Sequence, residues 1–172
     1  NWYVWVNGLI DGSQDFLFGN LTDAKGDLAG YGTPSSTTIS NLGFGNGQTI
    51  IAYCFADKKG FFKTGKYEGN GNADGPYIHL GFSPALVVCK EVDSTGYWAV
   101  SDNKRDGYNL TKNIYWNDAM SESTANQIDH CANGFKIRST AGSHNQSGST
   151  HIYMAWAQSP FVNSNGVPTN AR

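Results

Sequence analysis

The carboxylates best spaced for acid–base chemistry are Glu91 and Asp93. At i and i+2 of a strand they share one face about 7 Å apart, within the range that hydrolysis of a glycosidic bond uses. The other stretch rich in chemistry runs from Arg105 to Asp118, RDGYNLTKNIYWND. It brings Tyr108, Asn109, Tyr115, Trp116, Asn117 and Asp118 into one connection. Aromatic rings stack on the C–H faces of sugars while short amides and carboxylates bond hydroxyls, so these six residues are the candidate ligand-binding set. The alternative is that Tyr115 and Trp116 pack the core.

Catalysis is not expected. The Glu91/Asp93 pair invites comparison with sandwich-fold glycosidases of the laminarinase type, whose motif carries a further Glu three residues after the Asp. Here that position is Gly96, and a retaining mechanism without its acid/base does not turn over. Nucleophile-elbow, zinc-protease, phosphate-loop and dinucleotide motifs are missing from the sequence. The loop Asn70 to Gly75 sets oxygen-bearing side chains at alternate positions, like the opening half of a calcium loop, but Tyr77, Ile78 and His79 follow where a closing Glu is needed. A Gly-rich hairpin is the expectation there, with no metal. His79, His130, His144 and His151 show no metal spacing, and Asn20, Asn109 and Asn145 are glycosylation sequons.

The elements that must position these residues read as strands. QTIIAYCFA (48–56), PALVVCKEV (84–92) and STHIYMAWA (149–157) are apolar on both alternating sets, as suits central strands covered on both faces. GFKIRST alternates Phe135 and Ile137 against Lys136 and Arg138, as suits a half-exposed strand. Asn-Gly and Asp-Gly pairs recur from Asp11-Gly12 to Asn165-Gly166 and supply tight turns. Only SESTANQ, after Met120, reads as a helical turn or two. The fold expected is an all-β antiparallel β-sandwich built from tandem diverged repeats.

The repeat shows in self-comparison. Trp2 and Val4 match Trp98 and Val100, an offset of 96 (98 − 2); TIIAYCFA matches THIYMAWA, with Phe55 on Trp156, an offset of 101 (156 − 55). Between them NLGF, ending at Phe44, matches ANGF, ending at Phe135. Residues 1–65 then form the second part of an incomplete first repeat, and residues 66–172 a complete second repeat with a C-terminal tail, able to fold alone. A chain opening mid-repeat is expected to be the C-terminal piece of a longer polypeptide.

Composition agrees with strands. Of 172 residues only 8 are Leu and 3 Glu, against 21 Gly and 9 each of Tyr and Phe, which disfavours helical bundles. With Lys+Arg 12 against Asp+Glu 14 the net charge is -2, leaving no field to draw in nucleic acid or anionic lipid. The longest apolar run, Ile50 to Ala56, is far short of the roughly 20 residues that span a bilayer, so membrane insertion is not expected. Cys54, Cys89 and Cys131 cannot all pair within one chain; buried free thiols are the simplest reading, and one disulfide plus a spare thiol is the alternative.

The motif order YEGNGNADGPYIHLGFSPALVVCK, TGYWAVSDNKRDGYN, NGFKIRSTAGSHNQSGSTHIYMAWAQSPF and a closing NAR resembles a repeated domain at the C-terminal ends of tailed-bacteriophage fibre or appendage proteins. That resemblance implies a virion-surface location, a structural or host-adhesion role, and no catalytic residues or cofactor. The sequence-based expectation is a non-enzymatic fibre or decoration domain that adheres to host-surface glycans, its partners being other copies of itself or other virion proteins. Two rivals stand beside it: a structural, self-assembling fibre module with no ligand, and a lectin or carbohydrate-active sandwich protein.

Overall fold

A computed structural model describes residues 1–6, 15–27, 35, 37–38, 47–105, 112–125, 127–160 and 165. Eleven strands and one short helix follow in the order β1 (Tyr3–Val4), β2 (Asp15–Phe18), β3 (Gly26–Asp27), β4 (Phe62–Glu68), β5 (Tyr77–His79), β6 (Pro84–Glu91), β7 (Ala99–Asp102), β8 (Asn113–Tyr115), β9 (Ile128–Cys131), β10 (Gly134–Ile137), α1 (Gly142–Asn145) and β11 (Thr150–Ala157). They form an all-β antiparallel sandwich.

The two long runs that are apolar on both faces become the centre of it. β6 and β11 pair with one another inside a five-stranded sheet of order β4-β11-β6-β7-β8. One face of this sheet offers Val87, Cys89, Tyr153 and Ala155, which pack against Ile78, Ile128, Phe135 and Ile137 of the three-stranded sheet β5-β10-β9. The other face offers Val88, Val92, Val100 and Ile152, closed by Leu17 of β2 with Val4 and Val6 beside it. The front segment therefore forms a third layer, the sheet β1-β2-β3. The β9–β10 hairpin turns through Ala132 and Asn133, so that Gly134 pairs with Cys131. A Cβ on Gly134 would collide with the Ile78 carbonyl, which is why this strand opens with glycine.

Two hairpins share a register. In β1–β2, Tyr3 faces Phe18 and Val4 faces Leu17; in β7–β8, Ala99 faces Tyr115 and Val100 faces Ile114. The closing hydrogen bonds match as well: Gly19 N donates to Trp2 O at 2.7 Å and Trp116 N to Trp98 O at 3.2 Å. Asn20 Oδ1 accepts from Trp2 N at 2.8 Å, and Asn117 Oδ1 accepts from Trp98 N at 3.0 Å.

Two expectations need correction. Residues 48–56 form no strand, and every residue from Gly47 to Lys59 is exposed. β11 has the same composition but lies between β4 and β6, and among the described residues 48–56 have no such neighbours. The helical turn falls at Gly142–Asn145 rather than in SESTANQ, where Ser123 instead bridges Asn113. β4 spans Phe62–Glu68, on both sides of residues 65 and 66.

Candidate functional site

Trp116, one of the six expected ligand-binding residues, lies at a seam between layers. Trp98, fully buried ahead of β7, donates its indole N–H to Phe18 O at 2.9 Å. Trp116, just after β8, donates its own to Gly19 O at 2.6 Å, and the two indoles stack at 4.9 Å. Thr22 O accepts from Gly96 N at 2.8 Å, and Lys25 N donates to Val92 O at 2.8 Å. Lys90, buried on the same face, reaches Thr22 O at 3.4 Å and donates to Glu91 O at 2.5 Å. Burial lowers its ammonium to about 8, with Glu91 and Asp23 opposing the shift.

Of the six candidate ligand-binding residues, Tyr108 and Asn109 lie outside the described residues. Tyr115 packs its ring against Tyr97 at 4.8 Å, and burial raises its phenol. Trp116 stacks instead on Trp98, so neighbouring side chains turn to opposite faces of the sheet, as strand geometry requires. Asn117 is a backbone cap for Trp98, and Asp118 Oδ1 accepts from Met120 N at 2.9 Å. Of the four described, those most open to a ligand are Trp116, 43% exposed, and Asp118 with its carboxylate.

The carboxylate pair separates. β6 ends at Glu91, whose side chain is buried with Oε1 unpartnered, while Asp93 lies beyond the strand on the surface and accepts from Thr150 N at 2.6 Å. They do not share a face. Glu91 instead sits across the ladder from His151, which stacks on Tyr67 at 5.0 Å and places Nε2 2.9 Å from Gly142 O. His144, also buried, has Nε2 3.4 Å from Asn113 Nδ2 and no partner at Nδ1. Burial first, and His151 second, take its pKa to about 3, so the ring is neutral. Glu91, Asn113, His144 and His151 are all closed off from solvent. This cluster is the polar end of a core.

The Asn70–Gly75 oxygens are engaged within the protein. Asn70 Oδ1 accepts from Asn72 N at 3.0 Å, and Asn72 Oδ1 accepts from Asp74 N at 2.9 Å. Asn145 drives its amide into the loop, donating to Asn70 Oδ1 at 2.9 Å and Asn72 O at 2.7 Å. Asp74 pairs with Lys136 at 2.8 Å, which lowers its pKa. Asn145, read as a sequon, is buried and serves as a structural amide. Among the described residues no three His, Cys, Asp or Glu side chains are grouped to hold a metal ion, and no helix is long and apolar enough to cross a membrane. The buried roles of Lys90, His144 and Asn145 had one signal in the sequence: Lys90 interrupts an otherwise apolar central strand.

Fold and site together define a layered antiparallel β-module whose Trp98 and Trp116 indoles bond across its layers and whose Asn20 and Asn117 amides cap its hairpins. The chain belongs to the family described as Domain of unknown function (DUF7483), which matches residues 1–160. No curated protein matches it. No solved structure matches it.

Proposed function

We propose that this chain is a non-enzymatic structural module of a fibre or appendage on a virion surface, built into a larger assembly by strand pairing. The carrying observation is the stretch 47–59, exposed throughout, in which Ile50, Ile51, Tyr53 and Phe55 present a continuous apolar run to solvent. Folded chains rarely leave such a run open unless a partner covers it. The motif order that resembles phage fibre domains supports the same reading. Sedimentation over a broad concentration range tests it. The chain is expected to associate, and Ile51→Glu with Tyr53→Glu to abolish association without changing the melting temperature. A parent chain that stays monomeric throughout sinks the assembly reading.

Host-glycan adhesion is the second reading, favoured by the open indole face of Trp116 beside Asp118. It requires that Trp116→Ala lower binding to host polysaccharide while mass and circular dichroism stay unchanged.

A further inference from the structure

We infer that residues 49–56 are the unpaired counterpart of β11, and that their occupant is a β4–β5–β6 segment from another repeat unit, of the kind this chain carries at 62–91. The inference rests on the assembly reading and names its partner. Aligned on Thr49 and Thr150, the residues Ile51, Tyr53 and Phe55 fall where β11 turns Ile152, Met154 and Trp156 toward one core. Ala52, Cys54 and Ala56 fall where it turns Tyr153, Ala155 and Ala157 toward the other. Ile51 is 80% exposed, Ile152 2%. β11 reaches this burial because β4 and β6 pair with it on both sides along its length.

The order of elements agrees. In the second half the β7–β8 hairpin precedes the central strand. In the first half the β1–β2 hairpin, closed by the same Trp–Asn backbone cap, precedes 49–56. Among the described residues, the two strands that flank β11 have no counterpart beside 49–56. A partner that supplies them satisfies the backbone of 49–56 on both edges, which a single added strand does not do. The other ring contacts of the stretch do not substitute for this. Phe55 leans on Phe62 and Trp156 yet remains largely exposed.

Residues 61–96, duplicated and fused directly ahead of Asn1, test the inference, since Asn1 stands where Tyr97 stands in the second half. Two probes read the outcome: amide exchange of Ile50–Ala56 and maleimide labelling of Cys54, which is exposed while Cys89 is buried. Both are expected to slow at least about a hundredfold, the scale of protection a paired strand gains, and association of the chain is expected to cease. A fused protein in which Cys89 stays protected while Cys54 labels at the parent rate overturns the inference. So does protection of Cys54 that appears only as the fused protein associates, because the occupant is then another copy's surface. Should the fusion fail to fold, a peptide of residues 61–96, which carries β4, β5 and β6 together, added to the parent chain replaces it. Saturable protection of Cys54 supports the inference, and unchanged labelling overturns it. A parent that associates with Cys54 open in the fusion keeps the assembly reading and removes only this partner.

Discussion

His144 is held neutral inside the protein because burial makes the imidazolium costly, and its folded pKa of about 3 lies well below the ordinary 6.5. Between these values the unfolded chain takes up a proton that the folded one refuses, so stability is complete above 6.5 and is lost as pH falls. The slope is at most about 1.4 kcal/mol per pH unit. Burial lowers His130 in the same direction. Asp74 and Asp102 are held below 3.8, so a series from pH 7 to 5 isolates the histidines. The urea midpoint is expected to fall across that series and to fall less steeply in His144→Gln; parallel curves would show the ring already solvated. At Trp116 the indole N–H and the ring separate cleanly. Trp116→Phe removes the bond to Gly19 O and should cost about 1 kcal/mol, and Trp116→Ala, which also removes the stack on Trp98, about 2–3 kcal/mol, both read by urea unfolding. The sequence marked Trp116 and Asn117 as candidate ligand groups, and the fold sets one on another indole and the other on a backbone N–H. Nothing in residue type says whether a ring will stack on a sugar or on another indole, or whether an amide will bond a hydroxyl or cap a hairpin.

Among the described residues, Leu17 is the one fully buried side chain that the front layer sends into the central sheet, landing among Val88, Val92, Trp98, Val100 and Ile152. Leu17→Ala should cost about 2–5 kcal/mol, with amide exchange of β2 accelerating more than that of β6. Equal acceleration throughout would mean that the layers open together. At this scale much was legible. Runs apolar on both alternating sets mark strands that need cover on both faces, and β6 and β11 have it. The run at 48–56 carries the same mark and lies open, because alternation encodes which faces want burial and not which strands arrive to bury them. Glu91 and Asp93 misled for a related reason. The i, i+2 rule holds only while the strand continues, and this one ends at Glu91. The helix went elsewhere since Gly142–Asn145 has poor intrinsic propensity and is held by tertiary bonds, with Tyr67 Oη on His144 O and Asn145 Nδ2 on Ser139 O.

For the whole molecule, the layers divide the two cores unequally. The core between the five-stranded sheet and β5-β10-β9 draws every member from Tyr67 to Ala157, whereas the other core needs Leu17, Val4 and Val6 from the front. A fragment of residues 61–160 keeps β4 whole and the first core complete, but leaves Val88, Val92, Val100 and Ile152 under no cover. The indole of Trp98 would also lose Phe18 O, its acceptor. Such a fragment is expected to retain its β-sheet dichroism and the slow thiol labelling of Cys89, whose burial pushes it up to about 12. It should also bind an apolar dye, associate, and melt below the full chain, since the uncovered face is a contiguous apolar patch. Cooperative melting at the full chain's temperature, with no dye bound, would mean that residues 1–60 contribute nothing to the second half. The indole seam would then be decoration rather than attachment.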